Sequence, residues 1–228
     1  TDLVTLREGQ GLRVTVADVE DIYDEFTCGM VTPQAIKDFL SYAYTSWTPP
    51  APQYVLLVGD STFDCKDNLN QGNVNFVPAY LTFTEYMGEA PTDEWFVRVS
   101  GDDAIPDLYI GRIPAASADE ASVMVNKILA YETTPNTKTW EKNVLLVADN
   151  ETEGNDYEAD FELMSEDVAA LIPSAMSEPL RGYLGNPYTA GALNQYIKDT
   201  INNGTLIVNY SGHGSTQIWA GEVLFDTN

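Results

Sequence analysis

Runs of apolar residues that end in glycine or a polar turn alternate along this chain with stretches of helical spacing. Tyr54–Val58 (YVLLV) and residues 143–148 (NVLLVA) are continuous apolar runs, which are typical of parallel strands buried on both faces. Residues 12–16, 107–110 and 205–210 are predicted as further strands. The alternation of strand and helix predicts βαβ units and a mostly parallel sheet flanked by helices, which is an α/β fold.

The predicted helices carry start and stop signals of their own. Thr32 followed by Pro33 is an N-cap with proline in the first turn, and Ser117 with Glu120 forms a capping box. Gly204 is a stop signal. Helices are predicted over residues 1–10, from 33 to about 47, and over 117–131, 157–171 and 189–203. The loop-rich region 61–106 is predicted to hold short irregular strands around 77–83 and 95–99.

The chain divides at residues 135–138, which are polar, contain proline and have few apolar side chains. This predicts two consecutive subdomains, residues 1–136 and 137–228. Residues 1–10 have the pattern of a helix already under way, and the last four residues are irregular. We therefore expect a piece of a longer protein, with a strand missing before the first helix and the second subdomain incomplete.

The net charge of the chain limits the kinds of molecule that it could bind. The chain has 35 acidic and 11 basic residues, for a formal net charge of −24. A phosphate backbone would be repelled, so a nucleic-acid partner is excluded. The same acidity fits an extracellular protein, a carboxylate-rich calcium binder or a protein adapted to high salt. No apolar run is long enough to span a bilayer.

Polar residues that follow the predicted strands are the candidates for chemistry, because ligands of open α/β sheets bind at the carboxyl ends of strands. His213, the only histidine, stands between two glycines directly after such a strand. Imidazole has a pKa suited to a general base. The N–H of Gly214 would be free to bind a developing oxyanion. This arrangement favours a catalytic role for His213.

The residues around this histidine resemble a known family. Residues 206–215 (LIVNYSGHGS) resemble the histidine motif of the gingipain-like cysteine peptidases, which are relatives of the caspase and legumain folds. Residues 54–60 (YVLLVGD), 91–93 (PTD), 107–112 (DLYIGR) and 130–132 (AYE) are similar to the same family in order and spacing. The resemblance covers nearly the whole chain and implies a caspase-like fold.

The resemblance also implies roles for single residues. His213 matches the catalytic histidine, Gly214 the residue whose N–H helps to form the oxyanion hole, and Glu151 the acid that orients the histidine. Asp160 is the nearest match to the specificity-pocket aspartate of the arginine-specific members, with Asp156 as a competitor. Trp219 matches an aromatic residue near that pocket, although an ordinary core position explains it equally well.

The nucleophile is the main departure from the family pattern. The family cysteine follows the histidine by a few tens of residues, whereas Cys28 and Cys65 lie in the first subdomain and match no catalytic position. The resemblance therefore implies a secreted or cell-surface endopeptidase whose thiol lies beyond residue 228. Its substrate would be a protein or peptide, and the remainder of the catalytic domain would come from the same polypeptide. The fragment alone would be inactive.

Two alternatives stay open at this point. One is a non-catalytic binding or scaffold module with the same fold but without the cysteine. The other is a GDS-type serine esterase that uses Ser61, which follows Gly59-Asp60 after a buried strand. A Cys–His mechanism requires no cofactor. Structural Ca²⁺ is the one metal expected, with hard oxygen ligands from Asp60, Asp64, Asp93 and Asp103.

Overall fold

The computed structural model describes residues 2–85, 88–134, 138–150, 160–185, 187–215 and 217–226. Its contacts divide the chain into two compact units, Thr1–Thr134 (unit 1) and Pro135–Asn228 (unit 2). Both units combine helices with parallel strands, as the α/β prediction required. None of the described helices is both long and apolar enough to cross a bilayer.

Unit 1 contains four helices and four strands in its described part. The helices are α1 (Asp2–Gly9), α2 (Val19–Thr27), α3 (Pro33–Ser46) and α4 (Ala118–Thr133), and the strands are β1 (Tyr54–Val58), β2 (Tyr80–Thr84), β3 (Gly88–Thr92) and β4 (Tyr109–Ile113). β1 and β4 pair in parallel, with Tyr54 opposite Tyr109. β2 and β3 form an antiparallel hairpin.

Local signals begin two helices of unit 1 where the sequence predicts them. The Thr32 hydroxyl accepts the Gln34 N–H at 3.3 Å at the start of α3. The Ser117 hydroxyl accepts the Glu120 N–H at 3.2 Å at the start of α4. Such caps satisfy N–H groups that the first helical turn leaves unpaired. Both helix predictions are confirmed.

Three predictions for unit 1 are wrong, and one helix was not predicted. Residues 12–16 form no strand, because no described segment pairs with them. Residues 94–97 form a 3₁₀ turn instead of a strand. β1 is not buried on both faces, since Tyr54, Leu56 and Val58 are 62%, 48% and 49% exposed. Helix α2 was missed, although Asp18 caps it.

Unit 2 is a three-stranded parallel sheet between two helices, followed by a short hairpin. Its elements are β5 (Val144–Ala148), α5 (Phe161–Leu171), β6 (Leu180–Tyr183), α6 (Ala190–Asn203), β7 (Ile207–Ser211), β8 (Ile218–Trp219) and β9 (Phe225–Asp226). The strand order is β6-β5-β7. β6, β8 and β9 were not predicted, and residues 157–159 of the predicted helix lie outside the described residues.

The central strand β5 is buried at all five positions. Leu145 and Val147 pack in one cluster with Leu193 and Ile197 of α6. Val144, Leu146 and Ala148 pack on the other face, where Phe161 and Val168 of α5 contribute. Alternate side chains of a strand point to opposite faces, so the continuous apolar run is explained by a helix on each side. This prediction is confirmed.

Candidate active site

The carboxyl ends of β5 and β7 lie side by side in unit 2. Ala148 is opposite Ser211 in the parallel register, and the Asp149 N–H donates to the Ser211 carbonyl at 3.0 Å. The residues that follow the two strands, Asp149 and Gly212–His213, therefore stand at the same edge of the sheet. This is the edge at which open α/β sheets bind ligands.

His213 presents its side chain at the surface. The residue is exposed, and its ring meets that of Phe161 edge to face, with centroids 5.3 Å apart and an interplanar angle of 90°. Phe161 is the first residue of α5. This helix is tied to β7 by a 3.2 Å hydrogen bond from the Ser165 hydroxyl to the Ser211 hydroxyl. Within the described ranges, the imidazole has no hydrogen-bond partner.

The backbone of His213, in contrast, is held firmly. Its carbonyl accepts the Tyr210 hydroxyl at 2.7 Å and the Ala220 N–H at 2.8 Å. Burial, helped by the nearby Asp149 charge, raises the pKa of Tyr210, so the hydroxyl keeps the proton that it donates. The Tyr210 ring stacks on Trp219 at 4.6 Å, almost parallel.

The two glycines that flank His213 differ in the space around them. A Cβ on Gly212 would overlap the Tyr210 hydroxyl and stand 2.7 Å from the Asp149 Cβ. A Cβ on Gly214 would meet nothing closer than the Ile218 carbonyl at 3.6 Å. Gly212 is therefore required by close packing, whereas Gly214 lies open.

The Gly214 N–H points away from the neighbouring hairpin. Gly214 and Trp219 form an antiparallel bridge in which the hydrogen bonds join Ser215 to Ile218 and Ala220 to His213. In such a non-hydrogen-bonded pair, the two central residues direct their N–H and C=O groups outward. No described residue accepts the Gly214 N–H, so it is available to a ligand.

Asp149 stands at a strand end, but the sequence predicts no role for it. It is 8% exposed, and its carboxylate accepts the Asn150 N–H at 2.9 Å. Burial raises its pKa, while hydrogen bonds from the Asn150 and His213 backbone and the His213 charge oppose that shift. The available signal was its position directly after an all-apolar strand.

The other predicted residues of unit 2 have varied settings. Glu151 lies outside the described residues. Asp160 caps α5 by accepting the Leu163 N–H at 2.8 Å, directly before Phe161. The Trp219 ring lies between Tyr210 and Phe225, with centroid distances of 4.6 and 5.1 Å, so it contributes to the local core.

The predicted metal ligands of unit 1 all have partners within the protein. Asp93 is paired with Arg112, and both Asp64 oxygens accept N–H groups from residues 68 and 69. Asp60 accepts the Ser61 N–H, and Asp103 accepts the Ile105 N–H. Among the described residues, no three His, Cys, Asp or Glu side chains form a group that could hold a metal. Structural Ca²⁺ stays a prediction.

Both cysteines are free and exposed. Cys28 is the left-handed C-cap of α2, with φ 54°, and Cys65 follows β1 in a loop. Both belong to unit 1, whereas His213 belongs to unit 2. No disulfide joins the two cysteines.

Known proteins share this sequence pattern. Gingipain R2 and gingipain R1 of Porphyromonas gingivalis are each 27% identical to the chain over 221 residues. The match covers 96% of the chain, but only 26% and 19% of those two proteins. Lys-gingipain W83 of the same species is 29% identical over 140 residues. The chain thus spans about a quarter or less of these relatives.

Solved structures share the fold. The crystal structure of the Arg specific cysteine proteinase gingipain R (RGPB) matches with a TM-score of 0.73 and 26% identity, over 99% of this chain and 46% of that one. The complex of P. gingivalis RgpB pro- and mature domains matches with a TM-score of 0.72 and 25% identity, over 99% and 47%. The predicted caspase-like fold class is confirmed.

The family model of peptidase family C25 matches residues 1–228. That match spans both units, including the strand ends that carry Asp60 and His213. With the gingipain relatives and the shared fold, it establishes the identity of the family. The chain belongs to peptidase family C25.

Proposed function

We propose that this chain forms the histidine-bearing part of a cysteine endopeptidase, with His213 as the general base. The observation that carries the proposal is the contrast at His213 itself. Its backbone is held by Tyr210 and Ala220, while its imidazole is exposed at the ligand-binding edge of the sheet. A base needs this combination of a fixed position and free access.

The proposed reaction begins when an imidazole nitrogen of His213 takes the proton of a cysteine thiol. The thiolate attacks the carbonyl carbon of a peptide bond, and the oxyanion that forms accepts the Gly214 N–H. The imidazolium then protonates the leaving amine. Water, deprotonated by the same imidazole, hydrolyses the acyl-enzyme and restores the thiol. No cofactor takes part in these steps.

The thiol is proposed to come from polypeptide outside residues 1–228. Support comes from the comparisons, because the matching solved structures are about twice as long as this chain. The two cysteines of the chain both lie in unit 1 and match no catalytic position. The serine-esterase alternative on Ser61 has less support, because the chain belongs to peptidase family C25 and a solved structure with the same fold is named a cysteine proteinase.

Three more residues have proposed roles at this site. Glu151 would accept the second N–H of the imidazole and stabilise the imidazolium, as the third member of a triad does. Asp160 and Trp219 would contact the substrate. Support for them is that Asp160 precedes Phe161, which touches His213, and that Trp219 is bridged to Gly214. A secreted or cell-surface location completes the proposal and is consistent with the net charge of −24.

Substitution of the base tests the function. In the longer protein that contains residues 1–228, we expect His213→Ala to lower kcat/KM for peptide hydrolysis by about 10³-fold, within the usual range for a general base. Asp199→Asn, at an exposed position of α6, is the matched control and should leave the rate unchanged.

Two results would contradict the proposal. Wild-type rates in His213→Ala would show that His213 is not the base. A longer protein with no hydrolysis of peptides and no reactive thiol would instead be the binding or scaffold module.

A further inference from the structure

A buried carboxylate lies beneath residues 212–214, which we call the histidine turn. Asp149 is 8% exposed, although aspartate is rarely buried unless it is paired. No described lysine or arginine pairs with it. The carboxylate is instead surrounded by backbone N–H groups and one tyrosine, a setting that demands an explanation because an isolated buried charge is costly.

Asp149 packs against the turn that carries His213. Its carboxylate accepts the Asn150 N–H at 2.9 Å, and the nearby backbone N–H of His213 favours its charged form. The peptide carbonyl of His213 is held by the Tyr210 hydroxyl. The His213 carbonyl is therefore anchored by Tyr210, and the His213 N–H lies near the Asp149 carboxylate.

The same two side chains also exclude any side chain at the preceding position. The space where a Cβ of Gly212 would lie is filled by the Tyr210 hydroxyl and the Asp149 Cβ. Asp149 itself is fixed by β5, because its N–H bonds to Ser211 of β7. Asp149 is thus fixed by the central strand of the sheet and packs against Gly212, the residue before His213.

We propose that Asp149 is a positioning residue for His213, which holds the histidine backbone so that the imidazole stays at the reacting edge of the sheet. The proposal rests on the proposed function of His213. Asp149 touches neither substrate nor thiol in this role. It is distinct from the role given to Glu151, which would act on the imidazole nitrogen.

The charge of Asp149 responds to several neighbours. The titratable groups that face it among the described residues are His213 and Tyr210 from β7 and its turn, and Glu222 from the loop before β9. Burial raises its pKa above the ordinary value of about 4. The contribution of Asp149 to folding stability is therefore fully present at pH values below its ordinary pKa. It is lost as the pH rises through the raised pKa.

The sign of this pKa shift distinguishes a residue that positions His213 from one that only stabilises the fold. Because burial disfavours the charged form of Asp149, Asp149→Asn should not lower the melting temperature at neutral pH. Asparagine keeps one acceptor oxygen for the N–H groups but loses the charge and the second oxygen. A residue that served stability alone would show the opposite pattern, with a lower melting temperature and unchanged turnover.

The first test is kinetic, in the longer protein that contains this chain. We expect Asp149→Asn to lower kcat about 10-fold and Asp149→Ala about 100-fold, because small displacements of a catalytic group have effects of that size. KM should change little. Asp199→Asn is the control. Unchanged kcat in both Asp149 variants, with His213→Ala inactive, would overturn this inference and leave the proposed function intact.

The second test uses NMR to detect the influence of Asp149 on the His213 backbone and does not require enzyme activity. Because His213 is the only histidine, ¹⁵N-histidine labelling of the 228-residue chain yields a single backbone amide signal. We expect that signal to follow a step with pH that comes from Asp149. Asp149→Asn should remove this step, while Asp199→Asn keeps it.

An identical titration in the wild type and in Asp149→Asn would refute the positioning role of Asp149. If His213→Ala keeps full activity but the amide signal behaves as expected, then the proposed function fails and the influence of Asp149 on the His213 backbone stands. The two failures are therefore distinguishable.

Discussion

Unit 1 and unit 2 both have parallel strands, but their sheets differ in what covers them. β5 of unit 2 lies between α5 and α6 and buries all five side chains. β1 of unit 1 has the same kind of apolar sequence, yet Tyr54, Leu56 and Val58 are exposed. Similar apolar runs thus reach different burial, because a strand is covered only where helices pack on both faces.

The carboxyl ends of the two sheets differ as well. In unit 1, Arg112 donates to Asp93 at 2.7 and 2.8 Å, and to the carbonyls of Gly59 and Val77 at 2.9 and 2.7 Å. These polar groups satisfy one another. In unit 2, Tyr210 holds the His213 carbonyl, and Asp149 packs against Gly212. One strand end uses its polar groups for folding, whereas the other leaves an imidazole accessible for chemistry.

The difference in burial between β5 and β1 predicts the largest change in the free energy of unfolding. We expect Leu145→Ala in β5 to lower the free energy of unfolding by about 3 kcal/mol, because the side chain is fully buried and leaves a cavity. Leu56→Ala in β1, where the side chain is half exposed, should cost less than about 1 kcal/mol. Urea unfolding measures both. Equal losses would show that β1 is covered in solution.

The hydrogen bonds that Arg112 makes in unit 1 predict the next largest change in stability. Arg112→Met should lower the free energy of unfolding by about 2–3 kcal/mol, because it leaves Asp93 and two carbonyls without their donor. Arg7→Met removes the more exposed Arg7–Glu132 pair and should cost less than about 1 kcal/mol. A similar small loss in both variants would mean that the Arg112 cluster is not a stabilising feature.

The two glycines of the histidine turn predict the smallest effect on stability. Gly212→Ala should cost about 1–3 kcal/mol, because the new methyl group overlaps Tyr210 and Asp149. Gly214→Ala should cost less than about 0.5 kcal/mol, since its site is open and its N–H is retained. Thermal unfolding of the pair checks this. A destabilised Gly214→Ala with a normal Gly212→Ala would reverse the assignment of tight and open sites.

Local signals were sufficient for several elements. Thr32 and Ser117 begin α3 and α4 through hydrogen bonds within the first turn, and Gly204 ends α6. Residues 12–16 have the composition of a strand but form none. The reason is that helix caps are bonds between residues near in sequence, while a strand requires a distant partner. β6 was missed for the same reason.

The sequence by itself determined the α/β class, the strand that ends at the Gly-His-Gly turn, and the candidacy of His213 and Gly214. Only the tertiary structure decided that Asp149 is buried beneath that turn, that Tyr210 holds the His213 carbonyl, and that unit 1 leaves one face of β1 open. The physical reason is the range of the interactions. Periodicity and turn chemistry are written in neighbouring residues, whereas burial of a carboxylate depends on β7 lying beside β5, which are about sixty residues apart in the chain.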